Sequence, residues 1–113
     1  MSEPLRLITL IRKLPTVSTG EFRHFMELEY GPTYTRMPQV QSYRQHYVVD
    51  QFNDGSEDPI DAVVEITFDS AEAMAQALDT EAYRRAHRAR ENFMRPTTVG
   101  IHSVRVERTV TPS

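Results

Sequence analysis

Apolar and polar positions alternate from Leu5 to Arg12 as two interleaved sets, Leu5, Leu7, Thr9, Ile11 and Arg6, Ile8, Leu10, Arg12. Apolar residues in both sets predict a strand partly buried on both faces, and Lys13-Leu14-Pro15 breaks it. The period then lengthens. Ser18-Thr19-Gly20-Glu21 has the spacing of a capping box. Phe22, Phe25, Met26 and Tyr30 follow at i, i+3, i+4 and i+8, which is one apolar helix face. Gly31-Pro32 is expected to end or kink this helix, and Pro38 blocks any continuation.

Gln39 to Asp50 returns to period two, with Tyr43, Gln45, Tyr47, Val49 on one side and Ser42, Arg44, His46, Val48 on the other. Asn53-Asp54-Gly55-Ser56 is a turn signal. The acids between Asp50 and Asp61 lack the alternating ligands and terminal bidentate Glu of a calcium loop, so they read as a solvated hairpin loop. From Asp61 to Phe68 the set Ala62, Val64, Ile66, Phe68 is uniformly apolar, while Val63, Glu65, Thr67 face the other way. Asp69-Ser70-Ala71-Glu72 caps a helix carrying Met74, Ala77 and Leu78. After Asp79-Thr80 a second helical stretch places Ala82, Ala86, Ala89 and Phe93 on one face, with Arg84, Arg85, Arg88 and Arg95 opposite. Pro96 closes it, and Val99 to Val110 reads as the last strand.

Strand, helix, strand, strand, helix, strand is the split βαβ, ferredoxin-like order of an α+β domain. Right-handed crossovers put the helices on one face of a four-stranded antiparallel sheet. The other face carries apolar side chains that need a cover. The expected arrangement is a homodimeric α/β barrel, its two sheets packed face to face around a mixed polar and apolar cavity. Residues 1–113 form one domain with a loose tail at 109–113.

Composition narrows the chemistry. A chain of 113 residues, 39% hydrophobic and 26% charged, can bury a real core without metal or disulfide support. Thirteen basic against sixteen acidic residues argue against a nucleic-acid or membrane-surface module. The absence of cysteine excludes thiolate catalysis and cysteine-bound metals. No signal-peptide pattern and no apolar run of about 20 residues is visible, so a soluble cytoplasmic protein is expected. No phosphate-binding glycine loop, nucleophile elbow or His-x-x-x-His spacing occurs, so neither a cofactor nor a metal is expected. The Arg84-Arg85-His87-Arg88-Arg90-Arg95 run reads as a solvated helix face.

Several pieces, in order, resemble the EthD family of dimeric α/β-barrel proteins. They are Leu7-Ile8-Thr9-Leu10, Ser18 with Glu21-Phe22-Arg23, Glu29-Tyr30-Gly31-Pro32, Tyr43-Arg44-Gln45, Glu65-Ile66-Thr67-Phe68-Asp69-Ser70 and Glu91-Asn92-Phe93. The family usually has His where Tyr30 stands, and a second His falls at Tyr47, with His46 beside it. The family is similar to muconolactone isomerases and includes decarboxylase- and dehydratase-like enzymes. The resemblance implies a cavity to which Tyr43 contributes.

Glu65 is the acid that stands out, and burial in a cavity would raise its pKa into the range of a usable acid or base. Pairing with Arg6, Arg12 or Arg44 across the sheet is the structural alternative. Phenols such as Tyr43 and Tyr47 can hold an enolate-like oxygen, whereas Tyr30 is a poor base but a good donor. The expected catalytic residues are therefore Glu65, Tyr43 and Tyr30. Tyr47, His46, Gln45, Phe22, Met26 and Phe93 are the expected substrate contacts. The function expected is a cofactor-independent isomerase, cyclase, dehydratase or decarboxylase acting on a hydrophobic lactone or aromatic polyketide-like acid. A non-catalytic binding or accessory protein of an oxygenase pathway is the alternative, and a cofactorless monooxygenase a third.

Overall fold

The third strand shows most directly how the chain builds its sheet. In the computed structural model, which describes residues 3–96 and 100–113, β3 (Ala62–Phe68) alternates buried and half-buried residues along its length. It pairs antiparallel with β1 (Leu5–Ile11) and with β2 (Val40–Tyr47), and β1 pairs antiparallel with β4 (Ile101–Arg105). The order β2-β3-β1-β4 is the ferredoxin-like sheet that the order of elements predicts. The expected start of the last strand at Val99 lies outside the described residues, and the strand ends at Arg105 rather than Val110 because nothing pairs beyond it.

Cross-strand register sorts the side chains into two faces. Leu7 lies opposite Ile66, Thr9 opposite Val64 and Ser103, and Tyr43, Gln45 and Tyr47 opposite Ile66, Val64 and Ala62. This set faces the helices. Ile8, Arg44, Glu65 and Val104 form the other set with Leu10, His46, Val63 and His102, on the open face. The core sits on the helix side, where Leu5, Ile11, Val64 and Phe68 meet Phe22, Phe25 and Met26, all at most 2% exposed. Each such side chain contributes on the order of 1.5–3 kcal/mol by leaving water.

The first helix begins as predicted. Ser18 accepts from the Glu21 backbone N–H, and Glu21 accepts from Ser18 N–H, completing the capping box of α1 (Thr19–Phe25). Gly31-Pro32 does not end the helical run. The chain passes through a π turn (Met26–Tyr30) into α2 (Gly31–Thr35). Gly31 N–H donates to the Met26 carbonyl five residues back, and this widened turn seats a proline that has no N–H of its own to offer. The helix stops at Arg36, just before Met37-Pro38.

Ser70 caps α3 (Ala71–Leu78) and Thr80 caps α4 (Glu81–Ala89), which runs into a 3-10 turn (Arg90–Asn92). The β2–β3 loop closes through its own acids: Asp50 accepts from the Ile60 and Asn53 N–H groups, and Gly55 takes a positive φ of 85°. No helix among the described residues is long and apolar enough to cross a membrane.

Candidate functional site

A cavity of about 260 Å³ lies between the sheet and the helices of a single chain. Its floor is Leu7, Thr9, Val64, Ile66 and Phe68, with Ile101 and Ser103 from the edge strand. Its roof and sides are Tyr30, Tyr34, Met74, Leu78, Tyr83 and Arg90. This cavity lies inside the protomer and is distinct from the one expected between the sheets of two protomers. Its origin is geometric: α2 and α4 stand off from the middle of the sheet, and small or short floor residues such as Thr9 and Val64 leave the gap unfilled. The volume exceeds the ~150 Å³ that admits benzene and approaches the ~300 Å³ lower end of ordinary ligand pockets.

The roof is built by the π turn. By carrying the helix past Gly31-Pro32, it brings Tyr30 and Tyr34 to one face, their ring centroids 5.2 Å apart and edge-on. Tyr34 stacks on Tyr43 at 5.4 Å and meets Tyr83 edge-on at 6.4 Å. The Tyr34 hydroxyl donates to the Tyr30 hydroxyl at 3.2 Å. Among the described residues, no acceptor takes the hydrogen of Tyr30 itself, so that O–H is free for a ligand. Burial pushes the Tyr34 phenol well above its ordinary pKa, helped by neighbouring phenols, and burial also raises Tyr83. These groups remain donors, not bases, at neutral pH. On the floor, the Thr9 and Ser103 hydroxyls hydrogen-bond at 2.7 Å, which leaves one further O–H to donate.

Tyr43, Gln45 and Tyr47 line a different, more open groove with Glu27, Gly31 and Pro32. Gln45 Nε2 donates to the Met26 carbonyl at 2.7 Å and to the Tyr43 hydroxyl at 2.8 Å. The Tyr47 hydroxyl donates to Glu27 at 3.0 Å, and burial followed by that bond pushes its pKa up to about 12. Tyr43 is raised further still by burial. Tyr43 thus backs the cavity through its stack on Tyr34 without lining it. Phe22 and Met26 are wholly buried core residues, and Phe93 stacks on Phe25 at 4.1 Å. None of these lines this cavity, because their sides of α1 and of the α4–β4 connection turn into the core.

Glu65 and His46 stand on the open face. His46 Nε2 lies 2.8 Å from Glu65 Oε2, and Arg6 lies 3.7 Å from Oε1. In the single chain Glu65 is paired across the sheet, the alternative expected for it, and its pKa is lowered. The hydrogen bond from His46, followed by the charges of His46, Arg6 and Arg44, lowers it, outweighing a smaller opposing effect of desolvation. Glu65 and the tyrosines therefore lie on opposite faces of one sheet and do not converge on one substrate atom. Of the expected site residues, Tyr30 alone lines the inner cavity.

Sequence reasoning missed Tyr34, Tyr83 and Arg90. The signal for Tyr34 is its i, i+4 relation to Tyr30, which the expected end or kink at Gly31-Pro32 obscures. The signal for the others is the spacing Tyr83, Ala86, Arg90, which runs down the inner side of α4 while Ala82 is exposed. The arginine run accordingly divides. Arg84 and Arg88 pair with Asp79 and Glu81 at the surface, Arg95 pairs with Asp58, and Arg90 reaches the cavity. Among the described residues, no group of three or more His, Asp or Glu could hold a metal ion.

Residues 14–97 match the EthD domain. The chain belongs to the EthD family. No curated protein matches it. An EthD family protein from Bacillus halodurans C-125 shares the EthD fold of this chain at 16% identity and a TM-score of 0.68, covering 94% of this chain and 99% of its own. A mutant form of SnoaB from Streptomyces nogalater, described as a cofactor-independent oxygenase, aligns at 10% identity and a TM-score of 0.72, with 97% of each chain covered. A protein of unknown function from Bacteroides fragilis NCTC 9343, described as dimeric and ferredoxin-like, aligns at 11% identity and a TM-score of 0.65, covering 92% of this chain and 95% of its own. At these identities the likeness establishes the fold of the EthD chain and not its chemistry.

Proposed function

We propose that this EthD protein is a cofactor-independent enzyme of the isomerase, cyclase, dehydratase or decarboxylase type, acting on an apolar, polyketide-like 1,3-dicarbonyl compound or lactone in the cavity beneath Tyr30 and Tyr34. The observation that carries this reading is the hydroxyl pair: Tyr34 donates to Tyr30, which turns the uncommitted O–H of Tyr30 to a ligand. A phenol donor in an apolar enclosure stabilises an oxygen that gains charge during reaction, and one such donor is worth roughly 10²–10³ in turnover.

Among the described residues, those lining the cavity include no carboxylate and no imidazole. A hydrogen flanked by two carbonyls is acidic enough to pass to water, so a 1,3-dicarbonyl substrate needs no protein base, and the enolate oxygen would be held by Tyr30 with the Thr9–Ser103 pair as a second contact. Tyr43 positions Tyr34 by stacking. The same lack of a base favours the second reading, a protein that binds such a compound without turning it over. Oxygenation of the bound compound is the third, in keeping with the description of SnoaB as a cofactor-independent oxygenase.

A proton NMR time course with 3,5-dioxohexanoate tests the proposal. Ring closure to the lactone, or loss of carbon dioxide to the diketone, should run faster than in buffer and fall about a hundredfold in Tyr30→Phe. Binding without acceleration supports the accessory reading, oxygen consumption supports the oxygenase reading, and absence of binding removes the site.

The open face belongs to a second copy in this proposal. Ile8, Leu10 and Val63 are only half-buried there and Val104 is 48% exposed, and the Bacteroides relative is described as dimeric. Native mass spectrometry should give twice the chain mass, and a clean monomer at working concentration would refute the pairing.

A further inference from the structure

Arg90 lines the cavity together with Ile101 and the exposed Ser103 of the edge strand. It also lines an outer recess of about 510 Å³ with Leu14, His87 and Met94, so the guanidinium stands at the boundary between the two spaces. Its neighbours on α4 are committed elsewhere, Arg84 to Asp79 and Glu81 and Arg88 to Glu81. Among the described residues, no carboxylate lies within ion-pair distance of Arg90. Its one side-chain partner is His87, whose Nε2 lies 3.4 Å from Nη2. Burial and the Arg90 charge both lower the His87 pKa, so the ring is neutral at pH 7, accepts from the guanidinium and holds it without cancelling its charge. The ring of His87 is in turn tilted against Tyr83 at 5.8 Å.

An unopposed, half-buried guanidinium beside an apolar enclosure is poorly used unless an anion visits it, and its planar fork matches a carboxylate. We infer that Arg90 binds the carboxylate of an amphiphilic acid whose apolar, oxygenated body fills the cavity beneath Tyr30 and Tyr34. This inference rests on the cavity being the substrate site. It adds that the acid, rather than the lactone, is the substrate, and that Arg90 is the residue that holds its carboxylate. His87 is a positioning residue for the guanidinium.

A matched ligand pair separates the two claims. 4-Hydroxyphenylacetate and its neutral amide differ little in shape, and each can be titrated by NMR into the wild type and into Arg90→Gln. The acid should bind the wild type about tenfold more tightly than the amide, as one charge-assisted fork implies. In Arg90→Gln that preference should vanish while amide binding stays unchanged, which also shows that the variant is folded. If acid and amide bind the wild type equally, or the preference survives the substitution, Arg90 is not the anion site although the cavity is. If neither ligand binds the wild type, the cavity itself is not the site and the inference falls with it.

Discussion

On the helix side of the sheet, burial makes Tyr34 and Tyr83 hold their protons more tightly than free phenols do. On the open side, hydrogen bonding and charge make Glu65 release its proton more readily than a free carboxyl group. The two environments are made by adjacent residues of the same strands: Val64 beside Glu65, Gln45 beside His46, Thr9 beside Ile8. Strand alternation alone assigns them. The cavity side gathers neutral phenol and hydroxyl donors in an apolar enclosure with the cation Arg90 in its wall, and suits an oxygenated ligand. The open side balances full charges in reach of water and suits a contact between protein surfaces.

The strongest way to break this contrast is to substitute neighbours on β3 that face opposite ways. Phe68→Ala removes a fully buried ring and should cost about 3–5 kcal/mol. Thr67→Ala, on the open face, should stay within about 0.5 kcal/mol. Urea unfolding of the two variants measures both, and equal losses would mean that the open face is as tightly packed as the core. Next in size is Gly31→Ala. An added Cβ would sit 2.7 Å from Gln45 Nε2 and 2.8 Å from the Met26 carbonyl. The carbonyl is backbone and cannot swing away, so roughly 1–3 kcal/mol should be lost, and the tyrosine roof should shift with the π turn. An unchanged unfolding midpoint would show that the turn has slack.

How much of this is readable from the chain alone follows from what local pattern can encode. The alternation of β3, the capping serines Ser18 and Ser70 and the order of elements report local preferences, and they lead correctly to the ferredoxin-like sheet. The cavity depends on two things that local pattern does not carry. One is the π turn, which lets the helix continue past Gly31-Pro32 and so creates the Tyr30–Tyr34 pair. The other is which face of β2 turns to the helices, a tertiary choice that sends Tyr43, Gln45 and Tyr47 to the side away from Glu65. Tyr30 stands out in the sequence because it occupies a position where the family usually has His; its partner Tyr34 and the arginine at the far end of α4 become visible only once the helices are placed.

Alkaline titration of the phenols sharpens the cavity side of the comparison. The chain has five tyrosines. Tyr34, Tyr43 and Tyr83 are raised and Tyr47 is pushed to about 12. The folded protein keeps protons that the unfolded chain releases near pH 10, so this contribution to stability is complete below about pH 10 and is lost as pH rises above it. Each strongly held phenol removes about 1.4 kcal/mol per pH unit. Tyrosinate absorbance should therefore develop late and together with loss of the circular dichroism signal. Tyr34 and Tyr83 titrating near pH 10 in a folded protein would show that the roof is wet.

The smallest effect is expected from Glu65→Gln. A lowered folded pKa means that the stabilisation by His46 and Arg6 is present above the ordinary carboxylate value of about 4.3 and is lost as pH falls through the depressed value. Arg6 and His46 are both close to half exposed, so solvent screening holds the contribution to about 0–1 kcal/mol. Between pH 7 and pH 3 the wild type should lose slightly more stability than Glu65→Gln, read from urea midpoints at concentrations where the chain is monomeric. Raising the concentration makes the measurement more telling. If a second copy covers this face, the cluster leaves water and the gap between wild type and variant should widen with protein concentration. A gap that is the same at every concentration would mean that Glu65 lies outside the contact.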